Sequence, residues 1–334
     1  MFTDTSGGYF PLQYFADFLR LLASQGDRIR FITYDDLEWD GDYDYRAGYP
    51  REFKHWQTRL ASGELSANSA YVLIQHDVDN HPDRTMRMLA IERELGIRSN
   101  VMLFRHRVDR QRFQATGEMH RKSYELDLAA LREFAEAGFT MGYHANAYEQ
   151  AQFDRNMAQR IFDEDIAWMR QYFDVRIFSA HGGCKDPEGN SNNFFEPNQD
   201  SAKPLRWVHN RFSVRFEKTY SDGGINNKNR HPEEKNLLAF VRQMRPGCRY
   251  RVLVHPQYYA DDYSPAPTIA QTPWYAEVLD YYARNPQGDY WKSVQPSLDS
   301  PLFHQQQPLD KAVRGPLSSL LARARSRIRN WERQ

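Results

Sequence analysis

The sequence predicts an α/β protein, parallel strands covered by helices, on three observations. Short apolar runs recur from Tyr71 onward, each followed or preceded by a segment of helical periodicity. Those helical segments end at glycine, as at Gly96, Gly138 and Gly247. At 334 residues the chain exceeds a typical single domain but suits a barrel with appendages.

In chain order, Leu12, Phe15, Phe18, Leu19 and Leu22 mark one helical face that stops at Gly26, and "RIRFITYDDL" then reads as a strand. Residues 38–69 are rich in Asp, Tyr and Gly without clean periodicity and read as a surface excursion. Strand-like "YVLIQHDVD" leads to helix-like "DRTMRMLAIERELG", and "SNVMLF" is the next strand. "DLAALREFAEAG" is a helix feeding strand "FTMGYH", and a helical stretch over residues 150–172 precedes "VRIFSAH". "PEEKNLLAFVRQMRPG" is a further helix, followed by strand "RYRVLVHP". The expected division is an N-terminal extension packed on the barrel (1–70), the barrel itself (71–300) and a C-terminal tail (301–334).

Acidic and basic residues balance, 44 against 44, so bulk charge gives no argument for a nucleic-acid partner. The aromatic share of 14% suits core packing or sugar-stacking platforms, and composition does not choose between them. Only Cys184 and Cys248 occur, too few for a disulfide framework. The N-terminus lacks the basic start and apolar core of a signal peptide, and no run approaches the roughly 18 apolar residues of a membrane span. A soluble cytoplasmic protein is the expectation.

Chemistry gathers where the strands end. "VLIQ" runs into His76-Asp77-Val78-Asp79, "FTMGY" into His144, "RIFSA" into His181 and "YRVLV" into His255. Groups at the C-terminal ends of parallel strands converge on one rim, where α/β active sites are built. One such histidine is ordinary packing; three with an Asp-x-Asp are hard to place in a core. Titratable groups this dense cost desolvation unless something pairs with them, and a divalent metal is one such partner. Asp77 and Asp79, at i and i+2, would share a side of a regular strand, and Asp83 can cap the helix at Pro82 without them. Cys184 with His181 could make a cysteine hydrolase, a reading set below the metal one.

The ordered set "HDVD", "GFTMGYHANAYE", "SAHGG", "YSDGG" and "VLVHP" resembles the motifs of the polysaccharide deacetylases, carbohydrate esterase family 4, over residues 71–259. It looks closest to a divergent His-Asp-x-Asp, WbmS-like branch found with surface-polysaccharide and O-antigen genes. The resemblance implies a distorted (β/α) barrel, usually seven-stranded, and metal-dependent hydrolysis of N- or O-acetyl groups on sugars. It assigns Asp77 as base, Asp79 and His144 as metal ligands, His255 as acid and Asp222 as the group that orients that acid.

The family's second motif carries another ligand histidine four residues on, where this chain has Tyr148. A phenol titrating near 10 is a poor zinc ligand. His181 is therefore the first candidate for the third ligand and His81 the second, with zinc the expected ion. Where the third motif usually offers arginine and proline, the chain has His181 and Lys185. His76, His81, Lys185, Asn146 and Tyr148 adjoin the motifs and are expected to contact substrate, and the Asn-rich segments "EGNSNNFFEPNQDS" and "DGGINNKN" are ordinary loops or a sugar-binding wall.

The expected substrate is a carbohydrate, whether polymeric, nucleotide-linked or lipid-linked. The alternative to an enzyme is a non-catalytic carbohydrate- or partner-binding protein on the same barrel. In the tail, Leu317, Leu320, Leu321, Ile328 and Trp331 lie among five arginines from Arg314 to Arg329. A helix solvated on one face is the common form of that pattern; peripheral contact with an anionic inner membrane is the sharper expectation.

Overall fold

A computed structural model describes residues 8–38, 48–123, 125–186, 188–198, 203–208, 214–223, 225 and 231–298. The amphipathic tail and its expected membrane contact lie outside these residues. No helix among the described residues is long and apolar enough to cross a membrane.

Among the described residues twelve strands are numbered in chain order: β1 Phe10–Pro11, β2 Ile29–Ile32, β3 Ala70–Asp77, β4 Asn100–Leu103, β5 His106–Val108, β6 Arg121–Ser123, β7 Thr140–Ala145, β8 Ile177–Ala180, β9 Arg206–Trp207, β10 Lys218–Ser221, β11 Arg249–Val254 and β12 Tyr259–Ala260. Eight of them form one sheet in the order β10-β11-β3-β4-β7-β8-β9, with β2 attached to β3, and every pairing is parallel. The sheet curls into a half-barrel covered by helices. The resemblance implied a seven-stranded distorted barrel. The continuous path does hold seven strands, β2 is an eighth, and no ladder joins β9 to β10 among the described residues.

β3 is buried along its whole length, as expected of a parallel strand covered on both faces. One of its edges pairs with β11; the other is shared. Ala70–Leu73 pair with β2, and Gln75–Asp77 pair with β4. Asn100 fastens the fork: its Nδ2 donates to the Ile74 carbonyl at 2.8 Å, and its Oδ1 accepts from the Tyr34 amide at 2.8 Å. A buried carbonyl at a change of partner is thus satisfied rather than orphaned.

Strand alternation divides the side chains into two layers. Val101, Leu103, Met141, Tyr143, Ala145, Phe178 and Ala180 pack outward against helical Leu131, Phe134, Ile161, Phe162, Ile166 and Met169. Tyr71, Leu73, Met102 and Ile177 point inward, onto Ile32, Tyr34, Leu37 and Trp56. Gly142 belongs to the inner layer, where a Cβ would lie 2.5 Å from Met102 Sδ and 2.7 Å from Ile177 Cγ1. The inner base is also charged. Arg249 pairs with Glu52 of the helix Gly48–Ala61 and stands 4.7 Å over the Trp56 ring, so its buried charge is both paired and stacked.

Two small pairings stand apart from this sheet. β1 and β12 pair in parallel, and β5 and β6 form an antiparallel hairpin.

Candidate metal centre and active site

The same alternation that fills the inner layer with Tyr71 and Leu73 carries Gln75 and Asp77 to its upper rim. On β7 the inward series ends in His144; one step beyond β8 it reaches His181, and beyond β11, His255. β3 stops at Asp77, and Asp79 reaches the rim through a turn in which its amide donates to the Asp77 carbonyl at 3.0 Å. Asp77, Asp79, His144, His181 and His255 line one cavity of about 470 Å³.

Asp79, His144 and His181 offer one oxygen and two nitrogens, all within 4.8 Å of one another. Asp79 Oδ1 is 3.1 Å from His144 Nε2 and 3.5 Å from His181 Nε2. Those spacings bracket the roughly 3.3 Å edge of a tetrahedron built on bonds of about 2.0–2.1 Å. The outer nitrogens are already engaged: His144 Nδ1 with Ser179 Oγ at 3.0 Å, and His181 Nδ1 with Glu149 Oε1 at 3.2 Å. Ring nitrogens fixed in this way leave each Nε2 to serve as the donor that would hold an ion, the usual support of a metal histidine. Phe104 stacks on His144 and meets His181 edge-on. The donor set therefore fits a divalent metal ion.

Charge follows the same logic. Burial opposes ionisation of Asp79, but His181 and His144 outweigh it and hold the carboxyl well below its usual range. Burial likewise opposes a proton on His181, yet Asp79 and Glu149 raise it to about 9. A proton on His181 offsets part of that negative charge, and a bound cation would take over that work.

Asp77 and His255 flank the triad. Asp77 Oδ1 accepts from Gln75 Nε2 at 2.7 Å, and Gln75 Oε1 accepts from the Tyr34 hydroxyl at 2.7 Å. The other oxygen of Asp77 lies 3.8 Å from His144 Nε2. His255 Nδ1 meets Asp222 Oδ1 at 2.5 Å, while the His255 amide donates to Asp222 Oδ2 at 2.9 Å. Burial disfavours charge on this imidazole, but the Asp222 carboxylate prevails and lifts it to about 10. Its free Nε2 edge faces Asp79 Oδ2 at 3.9 Å.

The residues expected to contact substrate fare differently. His76 is the neighbour of Asp77 on a strand and must point the opposite way: it is buried on the helix side, bonded to Glu92 at 2.8 Å. Tyr148 is a core residue stacked on Phe195, and Lys185 is exposed and does not line the cavity. His81 is the N-cap of the helix Pro82–Glu94, in left-handed backbone conformation, and is outside both the metal group and the cavity lining. Asn146 does line the cavity, with its amide spent on the His106 carbonyl and Gln150. In the first Asn-rich segment, Asn192 is buried and ties the Glu149 amide to the His181 carbonyl. Residues 224 and 226–229 of the second segment lie outside the described ones.

Glu149, Gln75 and Ser179 were missed from sequence. The signal for Glu149 stands one residue past Tyr148: its carboxylate holds His181 through Oε1 and the Cys184 amide through Oε2 at 2.6 Å. A Cβ on Gly183 would sit 1.6 Å from that Oε2, so glycine is what admits the carboxylate. Glu149→Ala is expected to weaken metal affinity by roughly 10- to 100-fold. Titration against a competing chelator measures this, and unchanged affinity would show that His181 needs no such support.

Fold and site together define an α/β half-barrel with a candidate metal centre at the C-terminal rim. No protein-family model matches the chain, and no curated protein matches it. A solved structure to which it is similar is that of a mutant of a CE4-family pseudoenzyme with restored enzymatic activity. The likeness has 15% identity and a TM-score of 0.25, and covers 63% of this chain. The chain spans about 62% of that structure's length.

Proposed function

We propose that the protein is a metal-dependent hydrolase that removes an acetyl or other short acyl group, N- or O-linked, from a sugar. The observation that carries this reading is the arrangement of one pocket: a donor triad with a carboxylate on one flank and an Asp-paired imidazole on the other. Asp79, His144 and His181 would hold the ion. When bound, a divalent ion there supplies Lewis-acid chemistry, polarising a carbonyl oxygen and acidifying water.

The chain's own groups do the rest. Asp77, kept in place by Gln75, accepts the proton of the attacking water. His255 stands protonated at neutral pH through Asp222 and delivers its proton to the departing nitrogen or oxygen. Phe104, buried against His144 and His181, limits water at the centre, and half-buried Tyr258 offers aromatic surface to a sugar ring. The placing of the substrate in surface-polysaccharide or O-antigen synthesis rests on the motif resemblance alone.

The test is release of acetate from N-acetylated sugars and sugar nucleotides by metal-loaded protein, with loss on chelation and recovery on adding the ion back. His255→Ala is expected to keep the metal and slow an amide substrate far more than an activated ester, because only the poor leaving group needs the proton. Equal losses on both substrates would remove His255 from the acid role.

A further inference from the structure

Between Arg105 and Lys122 lie six lysines and arginines against two acidic residues, in a chain whose charges balance overall. This is the β5–β6 hairpin and the segment it encloses. Its register sets Arg107 directly opposite Lys122, so the two cations share a face of the ladder. Like charges in that position destabilise a strand pair. Both residues line the cavity that holds Asp77, Asp79 and His255.

Asp109 offsets part of this charge: its Oδ2 is 3.0 Å from Lys122 Nζ, while Oδ1 accepts from the Arg112 amide as a helix cap. The base of the hairpin is anchored beside the site. Asn146 Nδ2 donates to the His106 carbonyl at 2.9 Å, and Arg105 Nη1 lies 3.5 Å from buried Asp165. The hairpin is therefore held as a wall over the pocket. The floor carries the acids and imidazoles, and the wall carries the cations. A neutral acylated sugar would use only the floor.

We infer that the acylated sugar taken by this site carries a phosphate or diphosphate, which Arg107 and Lys122 bind. The inference rests on the acyl-sugar reading above and adds the class of substrate. A cavity of about 470 Å³ falls within the range of about 300–1,000 Å³ usual for small-molecule sites. Arginine and lysine on one face suit a multiply charged phosphate oxygen array, arginine through its planar fork and lysine as a point charge.

The test is calorimetric binding of three probes to the full chain: N-acetylglucosamine, its 1-phosphate and UDP-N-acetylglucosamine, with UMP as control. The phosphorylated probes should bind on the order of 10- to 100-fold more tightly than the neutral sugar at low salt. The gap should narrow as salt rises. Arg107→Ala and Lys122→Glu should each erase most of it, with Arg107→Lys restoring part. A preference shared by the 1-phosphate assigns recognition to phosphate itself; one confined to UDP-N-acetylglucosamine and absent from UMP assigns it to the diphosphate. Equal binding of neutral and phosphorylated sugars, no binding of any phosphorylated probe, or a preference that survives the hairpin substitutions overturns the inference. Hairpin-dependent binding without acyl release would leave it standing and sink the hydrolase reading.

Discussion

Asp79→Asn is expected to lose bound metal and hydrolysis together. Asp79 Oδ1 is the atom both imidazoles approach, at 3.1 and 3.5 Å, so it is the hinge of the donor triad. An amide oxygen still accepts hydrogen bonds but is a far weaker ligand than a carboxylate, and the substitution also removes the negative charge that a dication needs. The fold should survive, because an asparagine fits the same space. Metal analysis of the purified variant beside an activity assay reads both effects. A variant that keeps stoichiometric metal would move the centre elsewhere.

Asp77→Asn should do the opposite with the ion: it stays, and turnover falls by on the order of 10²–10⁴. The amide oxygen can keep the bond that Gln75 Nε2 now gives to Asp77 Oδ1, so position is preserved while the proton acceptor is gone. Asp79, His144 and His181 are untouched. The measurement is kcat on a substrate the wild type hydrolyses, with metal content as control. Near wild-type turnover would show that Asp77 is not the base. The two neighbouring aspartates thus separate holding from proton transfer.

The rim was legible because period-2 alternation and strand direction act on any parallel strand alike: an apolar run ending in histidine delivers that histidine to the mouth, as at His144, His181 and His255. The same alternation excludes His76, and its neighbour Asp77 is the evidence. Glu149 was hidden by the short helix Ala147–Gln150. The resemblance points four residues past His144, where the chain turns Tyr148 into the core; the next residue comes round to the site. The hairpin escaped notice because its strands are three residues each, too short for periodicity to register. The place of β2 was equally hidden, since nothing in "RIRFITYDDL" says that it takes only half of an edge.

That half-edge has a practical side. The strand bearing Asp77 depends on the segment before residue 38 for the pairing of Ala70–Leu73, for the Tyr34 amide that fills Asn100, and for the Tyr34 hydroxyl behind Gln75. A chain begun at residue 70 would carry every motif residue and still bare a row of backbone donors and acceptors on β3, an open template for pairing with another molecule. It would also cut Gln75 loose from Tyr34, so the carboxylate meant to take a proton would lose the brace behind its own brace. Anyone trimming this protein to its motifs would be removing the tension that keeps them in tune.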